Sequence, residues 1–153
     1  MIPRRDPRSL LMMMMMAASV LSACGGPETI GEPAPPQTVN SYWIGVEGVG
    51  DTHLHITLTQ SGTTVGLLPN CFIDRCSFLP FSQAGATAIG SQFPVEITSV
   101  TGSFNNPNIS FTYTLANGRT FSFSGRVAED RYMQGQLSGA TLPTSTITLE
   151  KQP

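Results

Sequence analysis

Two histidines and an aspartate at alternating positions are the residues of this chain best placed to bind a metal. Asp51, His53 and His55 share one face if their segment is a strand. Carboxylate and imidazole groups can together hold a transition metal. Leu54 and Ile56 occupy the other face, however, and an apolar face usually points inward. We therefore expect exposed histidines and no metal or other cofactor.

Cys24 is the second chemically informative position, and it ends the sequence Leu-Ser-Ala-Cys at residues 21–24. Arginines at residues 4, 5 and 8 precede an uncharged apolar run over residues 10–21. A positive start, an apolar centre and small residues before a cut are the parts of an export signal that is later removed. Because a run of about 12 residues is shorter than the roughly 20 that span a bilayer, we expect no retained transmembrane helix.

The Leu-Ser-Ala-Cys sequence resembles the lipobox of bacterial lipoproteins. The resemblance implies that residues 1–23 are a signal peptide and that Cys24 carries a diacylglyceryl group, usually with a third acyl chain. More than one chain gives firm anchoring. Gly25 stands where an aspartate tends to retain lipoproteins at the inner membrane, so the resemblance implies a lipid-anchored protein of the bacterial envelope, sorted to the outer membrane.

The remaining cysteines, Cys71 and Cys76, are separated by four residues. An even number of cysteines in an exported protein predicts a disulfide. So small a loop removes little chain entropy, and the bond should shape a local turn more than support the whole fold. The alternative is a zinc site completed by His53 and His55, although the spacing is not that of a standard zinc finger.

Other features argue against catalysis and against nucleic acid as a partner. The sequence holds no Ser nucleophile elbow, no His-Glu-x-x-His helix and no Gly-rich phosphate loop, so we expect no enzyme. Its 8 basic and 10 acidic residues include four that precede Cys24, and the part after the cut carries a net charge of −4. No basic stripe exists for nucleic acid or anionic lipid.

Composition divides the rest of the chain into a tether and one domain. Residues 24–40 are rich in proline and glycine and nearly lack apolar side chains, which is typical of a linker. Residues 41–153 form the folded domain. Its few charges and many Thr, Ser and Gly residues favour strands and turns over helices.

Alternation of apolar and polar residues predicts eight strands in this domain. Asn117 and Gly118 predict a type I′ hairpin turn, because both accept a positive φ. Consecutive strands joined by tight turns predict an antiparallel meander, closed into an all-β, eight-stranded up-and-down barrel; a β-sandwich is the alternative. The predicted strands are residues 42–47, 53–59, 64–68, 95–103, 109–115, 120–124, 131–138 and 144–150.

The same strands resemble small lipocalin-like and avidin-like barrels. The resemblance rests on Trp43-x-Gly45 and the alternating run from Leu54 to Gly62 at the start, and on Phe121-x-Phe123-x-Gly125 near the end. It implies a barrel that either holds a small ligand or is filled by its own side chains. The order Trp-x-Gly differs from the Gly-x-Trp usual in lipocalins, and no binding residue is implied.

Residues 69–94 interrupt the alternation, and a connection of this length is often functional. It contains the cysteine pair and the apolar sequence Phe-Leu-Pro-Phe at residues 78–81. One interpretation is a lid or partner-binding loop at a barrel mouth. The other is a structured segment that plugs the barrel end or adds one short strand.

Bulky apolar residues on the inward faces make the interior the second candidate site. A cavity among them would suit a lipid-like or aromatic ligand, whereas a filled core would be needed for folding. We expect a non-enzymatic protein that binds a small apolar molecule or an envelope partner; the alternative is an assembly lipoprotein with a filled barrel and a docking loop. The candidate ligand residues are Phe78, Phe81, Phe111, Tyr113, Phe121 and Phe123.

Overall fold

The computed structural model describes residues 37–47, 53–79 and 83–153. These residues form nine strands and one short helix. The strands are β1 (Ser41–Glu47), β2 (His53–Ser61), β3 (Thr64–Leu67), β4 (Ser77–Leu79), β5 (Val95–Asn105), β6 (Asn108–Leu115), β7 (Thr120–Ala128), β8 (Tyr132–Gly139) and β9 (Leu142–Lys151), and the helix is α1 (Gln83–Ile89). Cys24 and the tether as far as residue 36 lie outside the described residues.

The strands form one closed antiparallel barrel. β5 to β9 pair in chain order, β9 pairs with β1, and β1 pairs with β2, which closes the sheet. β3 and β4 both lie between β2 and β5 and together fill one barrel position. The prediction of an all-β, eight-stranded antiparallel barrel is confirmed, with β4 as an additional short strand.

A short insertion separates β3 from β4 within the barrel wall. Leu67 of β3 pairs with Leu58 of β2, and Ser77 of β4 pairs with His55 of β2. Only two residues of β2 separate His55 from Leu58. Nine residues separate Leu67 from Ser77, and they must cover the same distance along the sheet. Most of those nine therefore leave the sheet, and residues 69–75, here named the wall loop, project from it.

Alternation along the strands places one set of side chains inside. All ten residues predicted to point inward are buried, with at most 2% of their surface exposed. Trp43, Ile147 and Leu149 join them from the two strands at the closure. The inward residues are Leu54, Ile56, Leu58, Ile109, Phe111, Tyr113, Phe121, Phe123, Met133 and Leu137.

Residues 69–94 contain the additional short strand β4 and the helix α1. Ala88 and Ile89 of the helix are fully buried. Gly90, with φ 73°, ends α1 and donates its N–H to the Ala86 carbonyl at 2.8 Å, the left-handed termination that glycine favours. The Asn117 side chain donates to the Ile89 carbonyl and so connects the helix to the β6–β7 turn.

The prediction of a type I′ turn at Asn117 and Gly118 is wrong. Gly118 has φ 81°, but Asn117 is not among the described residues with positive φ. Gly118 N–H donates to the Leu115 carbonyl at 2.8 Å, and Leu115 N–H donates to the Arg119 carbonyl at 2.8 Å, which makes a longer turn with one left-handed residue. Consecutive positive φ values occur instead at Glu129 and Asp130, 54° and 53°.

Residues just before β1 are packed against the barrel. Val39 is fully buried, and its carbonyl accepts a hydrogen bond from Trp43 Nε1 at 3.0 Å. Its N–H donates to Gln60 Oε1, also at 3.0 Å. The packed part of the chain therefore begins a few residues earlier than Ser41. Within the described ranges, no helix has the length and apolar character needed to cross a bilayer.

Candidate functional site

Five of the six aromatic residues predicted as ligand contacts form a continuous stack inside the barrel. Phe78 of β4 lies 5.0 Å from Phe121 of β7 between ring centroids, and Phe121 lies 5.5 Å from Tyr113 of β6. The stack continues from Tyr113 to Phe111 at 6.5 Å and from Phe111 to Phe123 at 5.0 Å. These separations lie within the range of direct aromatic contacts.

The spacing leaves no room for a ligand between the stacked pairs. Phe111 and Phe123 are inclined by 27° at 5.0 Å, and Tyr113 and Phe121 by 20° at 5.5 Å. A ligand layer between two parallel rings would need a separation of about 7 Å, twice the carbon contact distance. A small molecule could enter these pairs only if the rings moved apart.

Glycines in the wall let side chains fill the interior further. A Cβ on Gly135 would meet the Ser124 carbonyl oxygen and lie 2.8 Å from Phe123 Cζ. A Cβ on Gly45 would lie 2.9 Å from Ile147 Cδ1 and 2.9 Å from Leu149 Cγ. Neighbouring side chains occupy the space above both glycines, as expected of a close-packed core.

The apolar sequence at residues 78–81 does not present Phe78 to a partner. Phe78 is fully buried and belongs to the aromatic stack. Its strand β4 pairs with both β2 and β5, so its alternate side chains point inward like those of the other strands. Phe81 lies outside the described residues.

Cys71 and Cys76 form the predicted disulfide, with their Cα atoms 5.8 Å apart. A disulfide sulfur cannot act as a thiolate ligand, so the alternative zinc site with His53 and His55 is excluded in this state. Within residues 37–47, 53–79 and 83–153, no three His, Cys, Asp or Glu side chains group in a way that could hold a metal. Asp51 lies outside those ranges.

The wall loop is fastened to the outer face of β1 and β2. Tyr42 Oη donates to the Asp74 carbonyl at 3.3 Å, and Thr57 Oγ1 donates to the Arg75 carbonyl at 3.4 Å. The Arg75 guanidinium lies 5.4 Å from the centre of the Tyr42 ring, a cation–π geometry. The loop therefore lies on the wall of the barrel and not at a mouth.

A turn within the wall loop holds its tip. The Phe72 carbonyl accepts the Arg75 N–H at 2.9 Å and the Cys76 N–H at 2.8 Å. With the disulfide and the contacts to Tyr42 and Thr57, these bonds restrain the loop at both its tip and its ends.

Tyr42 and His55 form a hydrogen-bonded pair beneath the loop. Tyr42 Oη lies 2.6 Å from His55 Nδ1, and the ring of His53 stacks beside His55 with 6.3 Å between centroids. Burial, and next the charge of His53, lower the pKa of His55 below 6.5. Burial also raises the pKa of the Tyr42 phenol, so both groups are neutral near pH 7. His55 thus holds the Tyr42 hydroxyl that donates to the Asp74 carbonyl.

The wall loop carries exposed apolar side chains that sequence reasoning missed. Phe72 is 76% exposed and Ile73 is 49% exposed, and Leu68 at the base of the loop is 41% exposed. One signal was present in the sequence: two large apolar residues stood inside a four-residue disulfide loop, which is too small to bury them. A shallow cleft of about 300 Å³ lies beside the loop, between Leu68 and Ile97.

Comparison with protein-family models, with curated proteins and with solved structures found no match.

Proposed function

We propose that this protein is a lipid-anchored protein of the bacterial envelope that works by binding, without turnover, through the wall loop. The observation that carries the proposal is the exposure of Phe72 and Ile73 on a loop that a disulfide and backbone hydrogen bonds hold in place. Isolated exposed apolar residues are ordinary, but neighbouring ones on a fixed projection are typical of interaction sites.

The packing of the interior supports a site on the outside. The five described aromatic residues that would line a ligand cavity are at most 2% exposed and contact one another. Their burial stabilises a domain of this size, which needs most of its apolar side chains to fold. The wall loop, in contrast, contributes little to the core. It is nevertheless restrained by the disulfide, by backbone hydrogen bonds and by side-chain hydrogen bonds from β1 and β2.

The fixed conformation favours binding for a second reason. Ordering a flexible loop on association reduces affinity, and a loop ordered beforehand avoids much of that cost. The disulfide between Cys71 and Cys76 and the contact from Tyr42 to Asp74 provide this order. The lipid on Cys24, as the lipobox implies, would hold the barrel at the membrane, where an envelope component is always near.

Crosslinking in intact cells tests the proposal. A photoreactive amino acid would replace Phe72 in one variant and Gln136 in another; Gln136 is exposed on β8, four strand positions around the barrel from β3. We expect adducts with an envelope component from position 72 and none from position 136. Absence of adducts at position 72 in correctly localised protein, or equal adducts at both positions, would contradict the proposal.

A further inference from the structure

We propose that the component bound by the wall loop is the lipid bilayer itself, and that Phe72 and Ile73 insert into the interface of the membrane that holds the lipid anchor. This inference rests on the proposed function, because the anchor at Cys24 brings the loop to the membrane. A bilayer interface accepts exposed aromatic and aliphatic side chains without demanding a complementary shape.

The hydrogen bonding of the loop backbone suits the tip to an apolar medium. Unsatisfied carbonyl groups are costly in an apolar medium. The Phe72 carbonyl accepts two backbone N–H groups, the Asp74 carbonyl accepts the Tyr42 hydroxyl, and the Arg75 carbonyl accepts the Thr57 hydroxyl. These three carbonyls have partners within the protein and keep those hydrogen bonds when the tip loses water.

Arg75 is suited to the boundary between lipid and water. It is exposed, follows the apolar pair by two residues and has its guanidinium above the Tyr42 ring. Long basic side chains keep their charge at the interface while their stems lie along apolar surface. A phosphate headgroup could therefore pair with Arg75 while Phe72 and Ile73 lie deeper.

The length of the tether keeps the loop near the bilayer. Thirteen peptide steps separate Cys24 from Gln37, a contour of at most about 45 Å. The first described residues adjoin β1, where Tyr42 contacts the wall loop. A link of at most that length limits how far the loop can lie from an anchored Cys24, which favours even a weak insertion.

The negative net charge of the chain indicates that insertion depends on apolar contact more than on electrostatic attraction. The part of the chain after residue 23 carries a net charge of −4 and a single lysine, Lys151. A surface of this kind is not attracted to anionic lipid. We therefore expect insertion into neutral phosphatidylcholine and little change with salt.

Fluorescence quenching by lipid tests the inference. The lipidated protein would be reconstituted in phosphatidylcholine vesicles whose acyl chains carry bromine, a contact quencher of tryptophan. The variants are Phe72→Trp and Phe93→Trp. The two phenylalanines have equal exposure, 76%. Phe93, however, comes just before β5, and β5 begins at the opposite end of the barrel from the start of β1. The native Trp43 is fully buried and gives the same background in both.

We expect the emission of the Phe72→Trp variant to fall at least about twofold, since interfacial side chains lie about 5–10 Å into the headgroup and acyl boundary. The Phe93→Trp variant should change little. Equal quenching would indicate non-specific adsorption of exposed aromatic residues and would overturn the inference. An unquenched Phe72→Trp variant that floats with the vesicles would also overturn the inference, although the lipid anchor would then be intact. A variant that does not float with the vesicles would count against the proposed function instead.

Discussion

Two phenylalanines show how differently this chain uses the same residue type. Phe121 is 1% exposed and stacks on Tyr113 at 5.5 Å, whereas Phe72 is 76% exposed on the wall loop. Alternation in the sequence predicted the burial of Phe121, because its neighbours at every second position are apolar as well. No periodic pattern surrounds Phe72, so its exposure had to come from the structure.

Truncation to alanine should therefore lower the free energy of unfolding much more at Phe121 than at Phe72. We expect Phe121→Ala to lower the free energy of unfolding by about 3–5 kcal/mol, since it removes a stacked ring from a filled interior. Phe72→Ala should change it by less than about 0.5 kcal/mol. Urea unfolding of both variants would measure the difference, and a mild effect of Phe121→Ala would indicate a loosely packed interior.

Glycine positions in the wall allow a matched test of close packing. In Gly135→Ala the new methyl group would lie 2.8 Å from Phe123 Cζ and against backbone, and we expect a loss of about 1–3 kcal/mol in unfolding free energy. In the control Gly66→Ala the methyl group would lie 3.5 Å from Thr59 Oγ1, an ordinary contact. Calorimetry should show a lower Tm for the first variant only; equal values would refute the packing of Phe123 over Gly135.

His55 should make stability depend on pH. Its pKa in the folded protein is lowered by burial and by His53, below the ordinary value of 6.5. The unfolded chain therefore protonates His55 more readily than the folded protein does. The free energy of unfolding should fall as pH drops through 6.5, and the fall should end once the pH is below the pKa of His55 in the folded protein. Unfolding between pH 8 and pH 5 should show this slope in the native protein and a smaller slope in His55→Gln. Identical slopes would contradict it.

At the level of elements, the eight barrel strands could be predicted and the insertion could not. Period-2 alternation determines which strands can enclose a core, and that pattern was clear from β5 to β9. β4 has three residues and α1 has seven, too few for a period to be recognised. The division of one barrel position between β3 and β4 depends on pairing across the sheet, which no local pattern records.

Turn type also escaped prediction for a tertiary reason. Asn117 uses its side chain to reach the Ile89 carbonyl and the Arg119 N–H, the latter at 3.1 Å. These contacts fit a longer turn in which only Gly118 has a positive φ. The pairing of Cys71 with Cys76, in contrast, could be predicted, because these are the two cysteines that remain when Cys24 is assigned to lipid.

Removal of the disulfide should loosen the wall loop while leaving the barrel folded. In Cys71→Ala/Cys76→Ala we expect a loss of about 2 kcal/mol in unfolding free energy, the estimate for so small a closed loop. Trypsin should cleave after the exposed Arg75 much faster than in the native protein, and cleavage after Arg126 on β7 serves as the control. Equal cleavage rates after Arg75 in both proteins would contradict a bracing role for the bond.

For the whole molecule, the described residues form a closed barrel from which the wall loop projects, and we propose that Cys24 anchors this barrel to the membrane. A small apolar ligand inside the barrel stays a prediction, and it would require rings such as Phe111 and Phe123 to separate from 5.0 Å.

The most direct test is to measure whether Cys24 carries lipid. Cells that produce the native chain or Cys24→Ala would be labelled with a radioactive fatty acid and then fractionated. We predict label in the native protein and its recovery with membranes, and neither in Cys24→Ala. Recovery of unlabelled native protein in the soluble fraction, or unchanged membrane recovery of Cys24→Ala, would contradict the central claim of a lipid-anchored barrel.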